Sequence, residues 1–378
     1  MAASPGLPIT TATMTETASP NDDGSLSVLT VDLGAIAANY ALLVKESAPA
    51  ECAAVVKADA YGLGLEPVAR TLERAGCRTF FVATLDEGLA LRNIVNHDIY
   101  VFAGVVQHNA ELLASNSLRP VLNDLEQLRL WRKHTNAPAA VHIDTGMNRL
   151  GFPPIEVDML RSDPTELDNF TPKLLVSHLA CADEPTHAMN AEQLERFRTA
   201  QTIFPNVPAS LSASSGVFLG PEWHFEMVRP GFALYGGNPQ PTGANPMQTV
   251  ARLKAKILQC RAISSGESVG YGATFRADTP RRIATISTGY ADGFLRALSN
   301  KATAYIGENP APLVGRVSMD LIGIDITGID GVKAGDWVDL LGPNYGVDAL
   351  ARDAGTIGYE ILTALGQRHR RVYLEADA

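Results

Sequence analysis

The chain has 378 residues, 46% of them hydrophobic, so it can bury one or two sizeable cores. Its 31 Lys and Arg against 41 Asp and Glu give a net charge of −10, which argues against non-specific nucleic-acid binding. Four widely spaced cysteines without a CxxC pair argue against a disulfide scaffold or a zinc site and are typical of a reducing compartment.

Residues 1–25 are rich in Ser, Thr, Pro and Ala, with no early Lys or Arg and no continuous apolar stretch. This composition predicts a disordered N-terminal extension rather than a secretory signal. No eighteen uncharged apolar residues run together, so the sequence predicts no membrane span. We therefore expect a cytoplasmic protein.

From residue 26 the sequence alternates between short apolar runs and stretches with helical spacing. Asp32 and Asp124 each precede an apolar face with helical spacing, as N-cap residues do, and the pattern recurs over 189–204. We predict strands at 53–57, 79–83, 99–102, 119–122, 139–143, 173–177, 209–213 and 227–229. Eight strands alternating with helices predict a parallel (β/α)8 barrel over residues 26–240. An open doubly wound sheet, the rival fold, predicts a GxGxxG turn after its first strand, and the sequence has none there.

At a Pro/Gly-rich linker, residues 236–246, the sequence pattern changes. Beyond it, strand-like runs with period-2 alternation are separated by Gly-containing turns. A helical pattern returns only at 359–368. Residues 241–378 are therefore predicted as a second, mostly β domain.

Polar side chains follow several of the predicted barrel strands, at the carboxyl ends where such barrels carry their functional groups. They are Lys57 with Tyr61, Arg149, His178, Ser214, Ser215 and Arg229. No metal-ligand cluster, Walker loop or GxSxG elbow accompanies them. A lysine in a water-poor mouth has a lowered pKa and a nucleophilic amine, as Schiff-base chemistry requires, and the glycine amides of RPGFALYGG could receive a phosphate. Both features fit pyridoxal 5′-phosphate.

An ordered set of motifs resembles the alanine racemase family, whose cofactor-lysine signature is similar to AVVKADAYGLG around Lys57. The other matching motifs are DTGMNRLGF, SHLACAD, MVRPGFALYG, VGYGATF, STGYADGF, GRVSMD and IGYE, and the likeness covers about residues 26–375. The resemblance implies a pyridoxal-phosphate enzyme of fold type III, with a barrel followed by a β domain. It also implies interconversion of L- and D-alanine, most often to supply D-alanine for peptidoglycan.

The resemblance also implies a role for individual residues. Lys57 would carry the cofactor and serve as a base on one face of the substrate Cα, and Tyr271 would serve on the other face, as racemisation by two bases requires. Arg229 would face the ring nitrogen of the cofactor, and because a guanidinium only donates, it would leave that nitrogen unprotonated. The other residues implied to hold the cofactor are Tyr61, His178, Ser215, Gly231, Phe232 and Tyr359.

For the substrate, the resemblance implies a carboxylate contact with Arg149, assisted by the backbone amide of Met319. It also implies a pocket narrowed by Tyr290 and Tyr359. In this family Tyr271, Tyr290 and Met319 come from the partner subunit, so a homodimer is implied. No metal is implied.

Four positions depart from the family pattern. Many members carry a lysine, often carbamylated, at the position of His142, so the orientation of Arg149 must come from something else: a neutral histidine, water or an anion. Ser214 replaces the asparagine of an Asn-Ser pair, Leu63 replaces a histidine, and Phe232 replaces an aliphatic residue.

Two other interpretations stay open from the sequence. A serine or broad-specificity amino-acid racemase would share the fold, and a non-catalytic pyridoxal-phosphate-binding protein would need no second base. The sequence also does not separate a biosynthetic from a catabolic role.

Overall fold

The computed structural model describes residues 24–135, 137–168, 170 and 172–375. The predicted disordered extension over 1–25 therefore lies outside the described residues, apart from Gly24 and Ser25. Within the described part of the chain, no helix is long and apolar enough to cross a membrane.

The structure contains two principal sheets and a set of helices. The strands in chain order are β1 (Ser27–Asp32), β2 (Glu51–Cys52), β3 (Ala54–Val55), β4 (Thr79–Val82), β5 (Asp98–Val101), β6 (Leu118–Leu122), β7 (Ala140–His142), β8 (Leu174–Val176), β9 (Ala209–Ser210), β10 (Met227–Val228), β11 (Ala251–Ile263), β12 (Ser268–Val269), β13 (Phe275–Arg276), β14 (Arg281–Ile286), β15 (Thr303–Ile306), β16 (Asn309–Pro312), β17 (Ile322–Asp325), β18 (Trp337–Leu341) and β19 (Arg370–Leu374). The helices are α1 (Leu33–Ser47), α2 (Lys57–Tyr61, a left-handed turn), α3 (Leu65–Arg74), α4 (Leu85–Arg92), α5 (Ala110–Ser115), α6 (Leu125–His134), α7 (Pro154–Ser162), α8 (Ala188–Gln201), α9 (Val347–Ala354) and α10 (Gly358–Ala364).

The first sheet is the predicted barrel. Strands β3 to β9 pair in parallel and in sequence order. The amide of Arg229, just after β10, donates to Ser212 O at 2.8 Å, and that of Ala53 donates to Val228 O at 2.9 Å. These bonds join β10 to both ends of the row and close the ring. All four residues of β4 are buried, as expected for a parallel strand covered on both faces.

Several helices begin where the sequence predicts. The side chain of Asp32 accepts from the amide of Ala35 at 2.8 Å, and that of Asp124 accepts from Gln127 at 2.7 Å. Each bond satisfies an amide that has no partner inside its helix, so each aspartate is an N-cap as expected. The pattern over 189–204 corresponds to α8. The helical pattern at 359–368 corresponds to α10, but the preceding α9 was not predicted because its eight residues span barely two turns.

The second sheet is mostly antiparallel and has eight strands, including β11, β14 and β18. It also contains β1, which pairs antiparallel with β11 and parallel with β19. Ser27–Asp32, counted with the barrel segment 26–240 in the sequence prediction, thus pairs within the sheet of residues 241–378. The division of the chain at residue 240 otherwise stays a prediction.

Candidate active site

Lys57 stands at the carboxyl end of the first barrel strand, where an unusual turn begins. Ala58, Asp59 and Ala60 have φ between 52° and 54°, and Tyr61 has φ 56°, so four successive non-glycine residues are left-handed. Each such residue costs about 1–2 kcal/mol relative to a right-handed helix. Gly62, which follows them, is also left-handed with φ 83°, as glycine readily is, but four strained non-glycine residues before it carry no sequence signature.

The Lys57 amine lies in the barrel mouth, with Nζ 5.8 Å from the centroid of the Phe102 ring. Burial lowers the pKa of Lys57, and the positive charge of Arg149 lowers it further, while the Glu87 carboxylate opposes both. A lowered pKa leaves more of the amine neutral near pH 7, and the neutral amine is the form that attacks a carbonyl or accepts a proton.

Arg229 directly follows β10, the last strand of the barrel, and is only 3% exposed. Its Nη2 donates to Ser177 O at 2.6 Å, and its Nη1 donates to Ser210 Oγ. Its Nε is buried and has no hydrogen-bond partner within the described part of the chain. Burial lowers the pKa of Arg229 to about 10, so the group stays a cation at neutral pH. The guanidinium is therefore fixed on one edge and presents an unused donor on the other.

Two histidines neighbour Arg229 and remain neutral. Burial, then the charges of Arg229 and Arg149, lowers the pKa of His178 to about 3. Burial and the charge of Arg229 lower the pKa of His142 to about 4. Both rings are uncharged in the physiological range, because these values lie far below pH 7.

A hydrogen-bond network fixes the tautomer of His142. The Asn123 amide group donates to Phe102 O at 3.1 Å and to Val121 O at 2.9 Å, which leaves Asn123 Oδ1 as an acceptor. His142 Nδ1 lies 2.8 Å from that oxygen and must carry the ring proton. Its Nε2 is then an acceptor in a mouth that contains several cations.

Aromatic rings form one wall of the site. Tyr359, from α10, stacks on Phe232 with ring centroids 4.1 Å apart, and Tyr61 lies 6.0 Å from Tyr359. A Cβ on Gly231 would come within 2.3 Å of Tyr61 Oη. Only glycine at 231 leaves room for that hydroxyl.

A cleft of about 690 Å³ opens beside this wall, lined among others by His178, Ser215, Phe232 and Tyr359. Ser214 Oγ at its edge accepts the amides of Gly231 and Ala233, both at 3.1 Å. In this structure the Gly231 amide, predicted to bind a phosphate, is therefore directed to Ser214.

Arg149, in the loop after β7, is exposed, yet its charge acts on Lys57 and on both histidines. The structure thus brings together Lys57, Tyr61, Arg149, His178, Ser215, Arg229, Gly231, Phe232 and Tyr359 around one rim.

Three predicted site residues lie instead on the second domain and point to solvent. Tyr271, in the turn between β12 and β13, is 72% exposed, Met319 is 52% exposed and Tyr290 is 43% exposed. The loops of Tyr290 and Met319 interlock, since the amide of Tyr290 donates to Ser318 O at 3.0 Å and that of Ala291 to Met319 O at 3.0 Å.

The supporting polar residues were missed by sequence reasoning. Ser177 and Ser210, which hold Arg229, and Asn123, which holds His142, are buried residues next to predicted functional ones. A usable signal exists in SLSASS, where serines at 210, 212 and 214 alternate and so face one way. Residues two apart on a strand point to the same face of the sheet.

Two family models match the chain: "Alanine racemase, N-terminal domain" over residues 31–239 and "Alanine racemase, C-terminal domain" over residues 250–373. The alanine racemase of Rhodospirillum rubrum is 48% identical over 363 residues, covering 93% of this chain and 97% of that protein. Two alanine racemases of Agrobacterium fabrum are each 46% identical: the one named catabolic covers 93% of this chain and 93% of its own length, and the one named biosynthetic covers 92% and 94%.

A solved structure, alanine racemase from Bartonella henselae with covalently bound pyridoxal phosphate, superposes with a TM-score of 0.89 at 40% identity. The alignment covers 93% of this chain and 100% of that one. With both family models and relatives that match over nearly the whole length, the chain belongs to the alanine racemase family.

Proposed function

We propose that this chain is an alanine racemase that binds pyridoxal 5′-phosphate through Lys57 and moves a proton on and off the substrate Cα with Lys57 and Tyr271. The observation that carries this proposal is the barrel mouth, where an amine with a lowered pKa shares one rim with a buried guanidinium whose Nε is unused.

The residues present fit the cofactor. The buried Nε of Arg229 is a donor without a partner in the described chain, and the ring nitrogen of pyridoxal phosphate is an acceptor that would satisfy it. The Tyr61 hydroxyl lies in the space that Gly231 leaves free. This hydroxyl and the Ser215 side chain suit the phosphate, which is at the end of the cofactor away from the ring nitrogen. His178 and the stacked rings of Phe232 and Tyr359 would hold the ring between these ends.

When bound, the cofactor supplies an electron-withdrawing ring that stabilises negative charge at the substrate Cα. Arg229 would limit that withdrawal, because a guanidinium only donates hydrogen bonds and would leave the ring nitrogen unprotonated. We infer that this favours return of the proton to Cα over side reactions. Lys57 would remove or return the proton on the face of the substrate Cα that is turned toward the barrel. Its lowered pKa suits that exchange near neutral pH.

The second proton requires a group on the opposite face of Cα, and we assign it to Tyr271 of a partner subunit. Within one chain Tyr271 points to solvent and Tyr290 and Met319 share an exposed loop pair. Where such side chains form one contiguous patch, they mark an interaction surface. A two-fold dimer in which each second domain covers the other chain's barrel mouth would bury them and complete two equivalent sites.

For the substrate, we infer that the exposed guanidinium of Arg149 binds the carboxylate in bidentate geometry. His142 Nε2, an acceptor by tautomer, would orient that guanidinium, so the neutral histidine is the candidate we favour over water or an anion. Tyr290 and Tyr359 would narrow the pocket to a methyl side chain.

We further propose that the enzyme acts in the cytoplasm and supplies D-alanine for peptidoglycan. The likeness to the relatives named biosynthetic and catabolic is equal, so it supports the activity more than the physiological direction.

The test is racemisation by the purified full chain, followed as the decay of the circular dichroism of L-alanine and, separately, of D-alanine, L-serine and L-lysine. We expect turnover of alanine in both directions and much slower turnover of the others. Lys57→Ala should abolish both turnover and the borohydride-sensitive visible absorption, whereas Lys45→Ala on the exposed end of α1 should change neither. Absorption that borohydride bleaches without any turnover would instead indicate a cofactor-binding protein that is not a racemase.

A further inference from the structure

The Glu87 side chain connects the Lys57 turn to the neighbouring strand. Its Oε1 accepts the amide of Ala58 at 2.7 Å, and its Oε2 accepts the amide of Ala83 at 2.7 Å and that of Thr84 at 3.3 Å. Ala58 directly follows Lys57, while Ala83 follows β4. One carboxylate thus joins the carboxyl ends of two adjacent barrel strands.

The first of these bonds lies where the backbone is most strained. Ala58 begins the left-handed run, with φ 54° and ψ 51°. Strained backbone persists only when surrounding contacts define it, and a charge-assisted hydrogen bond from an amide to a carboxylate is among the stronger contacts available. The Asp59 carboxylate makes a second such contact within the segment, accepting the amide of Leu65 at 2.7 Å.

Glu87 is itself held in place. It is the third residue of α4, and it forms a capping box with Thr84, whose side chain accepts the amide of Glu87 at 3.3 Å. In an ordinary capping box the carboxylate serves only its own helix. Here it also reaches across to Ala58, which an N-terminal cap does not require.

The charge of Glu87 also reaches the Lys57 amine. The charged and titratable groups that act with Lys57 are Arg149, which lowers its pKa, the neutral His178, and Glu87, which raises it. The carboxylate therefore keeps the amine from losing its proton too readily in a mouth that already contains Arg149 and Arg229.

We propose that Glu87 is a positioning residue for Lys57: its carboxylate fixes the turn that carries the amine and balances the positive charge of the barrel mouth. This inference rests on the proposed role of Lys57 in the reaction. Glu87 would then have two roles: it caps α4, and it sets the position and the proton affinity of the Lys57 amine.

The test uses the full chain freshly stripped of cofactor, in which Lys57 is acetylated by a trace of acetic anhydride at a series of pH values and quantified by peptide mass spectrometry. Because Glu87→Gln removes the negative charge and one of the two acceptors, we expect the midpoint of Lys57 labelling to move to lower pH. In the holoenzyme the same variant should lower kcat for alanine by about tenfold to a hundredfold, with a much smaller change in KM.

Thr84→Ala is the matched control, because it breaks the same capping box and leaves the bond from Ala58 to Glu87 in place. Both variants should unfold at similar urea concentrations, and Thr84→Ala should keep the wild-type labelling midpoint and kcat. A Glu87→Gln midpoint equal to or above that of Thr84→Ala, or equal kcat values in the two variants, would overturn the proposal. The labelling midpoint is measured without turnover, so it tests the effect of Glu87 on Lys57 even if the protein has no racemase activity.

Discussion

The two regions assigned to the site differ in how far one chain completes them. In the barrel mouth, Arg229 is 3% exposed, and its guanidinium donates hydrogen bonds to Ser177 and Ser210. The His142 ring is held by a hydrogen bond to Asn123. On the second domain, Tyr271 is 72% exposed. Around Arg229 and His142 the barrel half is internally bonded, although Arg149 at its rim is exposed, whereas the three residues of the other half all lie on a surface.

This difference separates two kinds of contribution. A buried, hydrogen-bonded group contributes to folding, so changing it alters stability and cofactor binding together. An exposed group contributes little to folding, so it can be changed with an effect on the reaction alone. The predictions that follow use this contrast, in order of decreasing expected effect.

Tyr271→Phe tests the surface half. Removal of the hydroxyl should slow racemisation by about a thousandfold, the range of a lost general acid or base, because one face of Cα loses its proton donor. Stability and cofactor absorption should stay at wild-type values, since the ring is exposed within its own chain and the substitution keeps the ring and removes only its hydroxyl. With Lys57 intact, one enantiomer should still exchange its α-hydrogen in D₂O, as NMR can measure. Tyr305→Phe in the same domain is the control, and equal rates for both variants would remove Tyr271 from the mechanism.

Acid should destabilise the barrel half. His142 and His178 have pKa values of about 4 and about 3 in the folded chain, against about 6.5 when unfolded. Between those values the unfolded chain binds more protons, so the free energy of unfolding falls as the pH is lowered from 7 to 4, by on the order of 3 kcal/mol for each histidine.

Urea unfolding at a series of pH values measures this slope. His142→Gln should flatten it, because one of the two suppressed protonations is gone, whereas His134→Gln on the exposed end of α6 should leave it unchanged. A slope that does not depend on His142 would mean that this ring is already protonated or solvated in the folded chain.

Gly231→Ala tests the cradle for the phosphate. At φ −127° the residue has no left-handed strain that alanine would increase, but a Cβ would lie 2.3 Å from Tyr61 Oη and push the hydroxyl away. Such overpacking costs about 1–3 kcal/mol, so we expect cofactor affinity to fall about tenfold in an absorbance titration. Gly243→Ala, where the nearest atom is 3.7 Å away, is the control. Equal affinities in the two variants would argue that Tyr61 does not contact the phosphate.

The sequence predicted the fold and the family, and both are confirmed, because alternating strands and helices leave a periodic pattern and the motifs are long and ordered. The location of the candidate site at the barrel rim was predicted from one rule, that such barrels carry their functional groups at the carboxyl ends of the strands. The residue roles stay predictions.

What the sequence did not predict depends on contacts between distant segments. The pairing of β1 with β11 and β19 joins residues more than 200 positions apart. The left-handed turn at Ala58 to Tyr61 contradicts local propensity, and Glu87 reads as a helix cap until its distance to Ala58 is known. Ser177 carries no signal of its own, and the alternation of serines at 210, 212 and 214 marks a polar face without showing that Ser210 binds Arg229.

The most direct test of the account mixes two inactive variants, Lys57→Ala and Tyr271→Phe, unfolds and refolds them together, and measures alanine racemisation. If each site takes Lys57 from one chain and Tyr271 from its partner, mixed dimers contain one intact site, and the mixture should recover about a quarter of wild-type activity. If both groups act within one chain, the mixture will be no more active than the sum of its two components, and the proposed shared site is wrong.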